Sequence, residues 1–393
     1  MSRKGKIFKV DIDKKYNVDN TYGNLENDQT HIYYNIRILN NNTSFDRDGN
    51  PTSQAQIVPC NYVENRANEF IANPSKYEST IVQFGLQSNS FPVQIVQPLL
   101  GTSPDGDGYI PTVYQVGINY DGMINYETIN WKPADITLNP PPIVTASDIN
   151  KEYFWNYSFN YFLDAVNQAL NNLWVNYSGE SSPSPFMTFD GNTQLFSIYL
   201  PQASGKTKFI SFNQPLFNLF TSFPFTYSNE IFTAGGYDIP LENIFNAPTV
   251  AKVVSGPDGS KRYQYTVLTQ EYPSVQILNP VVSVVITSPH SNLVNELIGV
   301  PVVYGTTPYV VSNNAQVLNI LFEYGLGRRN DPMINYQPIS QYITSTLIGI
   351  NPVQQMQINV FWKDEYGMLH PFFLEQGGSF YLKILFRKKT FYA

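Results

Sequence analysis

The residues that could do chemistry in this chain are few, and their spacing argues mostly against catalysis. One cysteine, Cys60, and three histidines, His31, His290 and His370, could supply a thiol nucleophile and its base. Yet Ile57-Val58-Pro59-Cys60-Asn61-Tyr62 offers no helix start and no nearby cation to depress the thiol pKa, so a buried thiol is expected. A lone thiol makes no disulfide, and scattered histidines give no metal-ligand spacing. Ser204-Gly205-Lys206-Thr207 ends like a phosphate-binding loop, but Leu200 stands where that motif needs its first glycine. Asp105-Gly106-Asp107-Gly108 begins like a calcium loop and then places Tyr109 where an oxygen ligand belongs, so a tight turn is expected. Carboxylates are plentiful, but nothing singles out the pair a glycosidase requires. Trp131, Trp155 and Trp174 could stack on sugars; in a β-sandwich such rings more often serve the core or a subunit contact. The reading is a protein with no catalytic residues, no cofactor and no metal site.

Charge carries more information. The formal net charge is −7, from 24 basic and 31 acidic residues. Arg3, Lys4, Lys6, Lys9, Lys14 and Lys15 crowd the start against Asp11 and Asp13, and Lys383, Arg387, Lys388 and Lys389 crowd the end with no acid. Removing these ten basic and two acidic residues leaves 14 against 29, a body of charge −15. Basic ends on an acidic body suit either solvated tails or ends that face a polyanion. Only 14% of residues are charged and 15% are aromatic, with 28 Tyr and 26 Phe. That composition fits strands and half-wet aromatic contact surfaces, and raises the prior on an obligate assembly. No stretch reaches the roughly 18 consecutive apolar residues of a spanning helix, and the charged N-terminus does not read as a secretory leader. Product of a reducing compartment is the default, with the sequons at Asn156 and Asn176 unused.

The elements that must position these residues are mostly short strands. His31–Leu39 and Tyr77–Leu86 alternate well enough for strands, and 110–118 and 123–131 flank Asp121-Gly122 as a hairpin. Phe162, Val166, Ala169, Leu170 and Leu173 fall on one face, which predicts a helix over 159–173 capped by Ser158 or Asn160. Strands 186–189 and 195–199 pair across Asp190-Gly191-Asn192, and 213–225 reads as a helical turn under an aromatic cluster. From Tyr263 onward the pattern is nearly continuous β: 263–268, 275–278, 281–287, 317–323, 342–348, 356–362, 369–374 and 380–386. Many strands with one helix of any length predict an all-β sandwich.

Two segments near opposite ends carry a resemblance. They are Asn73-Pro74-Ser75-Lys76-Tyr77 with Ser79-Thr80-Ile81-Val82-Gln83-Phe84, and Phe361-Trp362-Lys363-Asp364-Glu365-Tyr366-Gly367-Met368-Leu369-His370-Pro371 with Tyr381-Leu382-Lys383-Ile384-Leu385-Phe386-Arg387-Lys388-Lys389. Between them lie Phe162 to Leu170, Phe212 to Phe220, Gln270-Glu271-Tyr272-Pro273, Asn279 to Ile286 and Ile334-Asn335-Tyr336-Gln337-Pro338. In this order they resemble the minor capsid (penton) proteins of virophages and Polinton-like viruses, over most of 70–390.

The resemblance implies a single jelly-roll β-sandwich with an inserted mixed domain containing one main helix. The corresponding division is a basic arm at 1–30, a jelly roll from 31–139 plus 261–393, and an insertion at 140–260. It implies homopentamers at the vertices of an icosahedral virion assembled in the host cell, with neighbouring major capsid protein capsomers as partners. Arg3, Lys4, Lys6, Lys9, Arg387, Lys388 and Lys389 would then face packaged DNA or a capsomer, while the insertion faces a host receptor or glycan. The rival readings are a trimeric double jelly-roll major capsid protein and a glycan-binding or glycoside-processing β-sandwich.

Overall fold

Strand Gln355–Asp364 buries every second residue along its whole length, the signature of a strand with one face on a core. The same logic builds most of the molecule. The computed structural model describes residues 30–40, 58–88, 90–99, 102, 105–120, 122–133, 154–178, 184–201, 208–240, 250–255, 262–289, 293, 296–298, 316–326, 333–338, 343–365, 367–375 and 377–389.

Two five-stranded antiparallel sheets enclose a first core. One runs His31–Leu39, Ser379–Lys388, Tyr77–Gln87, Met333–Tyr336, with Thr344–Thr346 also paired to Tyr77–Gln87. The other runs Ile320–Gly325, Val281–Thr287, Gln355–Asp364, Leu369–Pro371, with Asn61–Asn65 also paired to Gln355–Asp364. Their inner faces meet through an aromatic cluster. Phe84 stacks on Tyr336 at 5.5 Å and meets Phe322 of the opposite sheet edge-on at 6.0 Å. The core draws on residues between Tyr34 and Phe91, on Trp155, and on residues between Val281 and Phe386. The C-terminal strand therefore pairs back on early ones, His31 lying opposite Arg387. Gly85 is required by close approach: a Cβ there would sit 2.3 Å from the ring of Tyr381, which crosses it and donates to Asn335 Oδ1 at 2.9 Å.

A second core draws on residues from Val96 to Leu278. It is enclosed by the sheet Thr226–Ser228, Gly236–Pro240, Lys208–Asn213, Ile110–Tyr120, Met123–Trp131 and by the sheet Val250–Ser255, Arg262–Thr269, Leu195–Pro201, Phe186–Asp190. Helix Phe159–Ser178 packs between them, burying the expected stripe of Phe162, Val166, Ala169, Leu170 and Leu173. Ser158 caps its start, its Oγ accepting from the Tyr161 N–H at 3.4 Å.

Three expectations change in detail. Val275–Leu278 is one turn of helix, not a strand, with Val275 and Leu278 buried three residues apart. Four apolar residues fit either form, and here the Ile277 N–H closes on the Ser274 carbonyl at 2.9 Å. The run 317–323 breaks at Asn319 into Gln316–Leu318 and Ile320–Gly325, and 369–374 breaks at Phe372 into Leu369–Pro371 and Phe373–Leu374.

Candidate assembly surfaces

The basic residues at the C-terminus sit on and just beyond the strand Ser379–Lys388, and two of the three are engaged within the chain. Arg387 Nε donates to Glu78 Oε1 at 2.7 Å, the second guanidinium nitrogen reaching the same oxygen. Lys389 Nζ donates to the Ser75 carbonyl at 2.8 Å, and its backbone N–H to the Lys76 carbonyl at 2.8 Å. Lys388 is exposed. The two terminal segments are thus hydrogen-bonded neighbours, Asn73-Pro74-Ser75-Lys76 turning beneath Arg387-Lys388-Lys389. Arg3, Lys4, Lys6 and Lys9 lie outside the described residues, as do the 204–207 motif and His290.

Large apolar side chains stand open at both outer strands of the first sheet. On one side Tyr33 and Leu39 are each 54% exposed on His31–Leu39. On the other, Met333, Ile343, Ile348 and Ile350 are exposed, Ile350 to 78%, on and beside Met333–Tyr336 and Thr344–Thr346. An isoleucine so far in water is unusual for a β-branched residue placed by core packing alone.

A two-stranded ribbon, Gln94–Val96 with Phe154–Asn156, joins the two cores. Successive side chains point opposite ways, so Trp155 and Ile95 enter the first core while Phe154 and Val96 enter the second. Trp155 meets Trp362 edge-on at 5.0 Å and His370 at 5.2 Å, and Trp362 lies 4.3 Å from His370. His370 Nε2 is 2.9 Å from Oδ2 of the buried Asp364, whose other oxygen accepts from the Met368 N–H at 2.8 Å. The segment 361–371 is therefore a hairpin folded around its own aspartate, with Gly367 at φ +80° completing the turn.

The remaining chemistry candidates take structural places. Cys60 is fully buried, and burial holds its thiol well above the usual range. Its side chain joins the first core, while the other groups of that core are apolar or aromatic. Asp105 Oδ1 accepts from the N–H groups of Asp107 and Tyr109 at 2.9 and 2.8 Å, a turn closed on its own carboxylate. Trp131, Trp155 and Trp174 are buried, which removes them as sugar platforms and confirms them as core rings. Asn156 is buried and hydrogen-bonded to Gln94 Oε1 at 3.2 Å, so that sequon has no accessible side chain. Among the described residues no three His, Cys, Asp or Glu cluster as metal ligands. No described helix is long and apolar enough to cross a membrane.

The model of the family described as Sputnik minor capsid protein V18/19 matches residues 32–388. The chain belongs to that family. It is a minor capsid protein, and the family match spans both cores and the ribbon between them. Protein V18 of the Sputnik virophage, itself uncharacterized, is 27% identical over 139 residues, covering 33% of this chain and 79% of that protein. A chain in the cryo-EM structure of the Sputnik virophage aligns with TM-score 0.68 at 20% identity, covering 92% of this chain and 99% of that one. The crystal structure of the mavirus penton protein aligns with TM-score 0.57 at 18% identity, covering 92% and 100%. The sandwich is accordingly the jelly roll expected, and a minor capsid role is favoured over the trimeric major capsid protein and over the glycan-binding or glycoside-processing β-sandwich.

Proposed function

We propose that five copies close a ring at a capsid vertex, joined head to tail through the two outer strands of the first jelly-roll sheet. The observation that carries this is the exposure of Tyr33 and Leu39 at one edge and of Ile343, Ile348 and Ile350 at the other. Edge strands with open apolar side chains favour pairing with another chain, and two different edges make a heterologous contact, the kind that closes a ring. In this arrangement the insertion, expected at 140–260, widens to the unit around the second core, whose buried residues run from Val96 to Leu278, and it faces outward, toward a host receptor or glycan. The basic ends, including Lys388, face inward toward packaged DNA or an adjoining major capsid protein capsomer. The role is mechanical, with no turnover.

The test blocks each edge separately. A Tyr33→Asp/Leu39→Asp variant and an Ile343→Asp/Ile350→Asp variant should each be monomeric and still folded by circular dichroism. Mixed one to one, they should form a heterodimer and stop there, since each retains one working edge. Rings that persist in either variant would place the contact elsewhere.

A further inference from the structure

Phe225 and Tyr272 both stand open in the second unit and line one cleft. We infer that this cleft, of about 350 Å3 and lined by Thr221, Phe225, Glu271 and Tyr272, binds a neutral carbohydrate. Its size falls at the lower end of the roughly 300–1,000 Å3 usual for small-ligand sites, enough for one or two sugar rings.

The walls are fixed before any ligand arrives. Ser222 donates its hydroxyl to the Tyr272 carbonyl at 2.5 Å, and the Glu271 N–H donates to the Ser222 carbonyl at 3.1 Å. Behind them the buried Gln270 receives the Phe196 N–H at 3.0 Å and donates to Ser274 Oγ at 3.0 Å, which donates on to the Leu219 carbonyl at 3.1 Å. Phe225 is held by Phe217 at 4.6 Å and Tyr237 at 5.1 Å, yet remains 43% exposed. Tyr272 is 53% exposed. Rigid aromatic faces of this kind lose little entropy when a ligand stacks on them.

Polar groups in the cleft select the ligand. Thr221 lines the cleft, and its Oγ1 is buried with no hydrogen-bond partner among the described residues. Glu271 adds a carboxylate acceptor at an exposed position. A sugar offers what these groups and rings require: hydroxyls around its rim and an apolar C–H face. The Glu271 carboxylate, on a body of net negative charge, disfavours sialylated or sulfated sugars. Among the described residues lining the cleft, Glu271 is the one carboxylate.

The biological use of the cleft rests on the outward orientation proposed above; its binding chemistry does not. The full chain would be applied to an array of neutral oligosaccharides and their sialylated and sulfated counterparts, and the best neutral glycan titrated by calorimetry. We expect binding to neutral glycans only, weakened about tenfold or more by Tyr272→Ala or Phe225→Ala, the loss of one stacking contact, with the thermal midpoint unchanged in Tyr272→Ala. No binding to any neutral glycan at millimolar concentration, or binding indifferent to both ring substitutions, would overturn the inference. Native mass measured on the same samples separates this outcome from failure of the ring: a glycan-binding monomer would uphold the cleft and contradict the vertex assembly.

Discussion

Glu323 shows how single side chains hold the sandwich together. Partial burial works against its charged form, but hydrogen bonds from Lys363 Nζ at 2.6 Å and Ser283 Oγ at 2.7 Å, with the Lys363 charge, outweigh it and hold the carboxyl below its ordinary value. A carboxylate depressed in the folded state adds stability above its unfolded pKa, and that stability is lost as pH falls through the folded value. Glu323→Gln should therefore lower the urea midpoint at neutral pH and flatten its decline on the acid side of the glutamate range. An acid limb as steep as that of the parent protein would contradict this. Glu64 follows the same sign, the Tyr34 and Tyr62 hydroxyls holding its carboxyl low. At this scale the sequence was legible for Cys60, whose surroundings contain nothing to activate a thiol. It was not legible for Arg387 or Lys389. Their partners, Glu78 and Ser75, lie more than 300 positions away, and only the closure of the sheet brings them within reach.

Among the elements, the ribbon Gln94–Val96 with Phe154–Asn156 joins the two cores, as does the short step from Leu278 to Val281. Trp155 is the side chain that anchors it, packed against Trp362 and His370. Trp155→Ala should destabilise the protein by about 3–5 kcal/mol, as large-to-small changes of buried tryptophan do, and split a single unfolding transition in two. One cooperative transition moved by less than about 1 kcal/mol would mean that the cores are coupled by other contacts. Strands were legible wherever burial alternates, as in His31–Leu39 and Gln355–Asp364, and the long helix was legible from its apolar face. The ribbon was not seen as a link, because three-residue strands carry too little periodicity to show which core each side faces. The 275–278 turn was misread for a related reason: a short apolar run fits strand and helix alike.

For the molecule as a whole, membership of a minor capsid family moves the central question from chemistry to assembly. The sequence pointed to this through segments that, in order, resemble the family over most of its length, while its composition, rich in Tyr and Phe and poor in charge, suited an assembly. It did not show which edges are left open, since that depends on strand order. Ile343 and Ile350 look like core residues in a one-dimensional pattern, and only the sheet order sets them outside. The cleft at Tyr272 was hidden likewise, because its walls come from segments some 50 residues apart. The most direct test of the assembly account is the native mass of the purified full chain, by light scattering or native mass spectrometry. The account predicts about 223 kDa, five times 44.6 kDa, reduced to a monomer's mass by either pair of edge substitutions. A stable monomer at high concentration, or a mass of three chains, would contradict it.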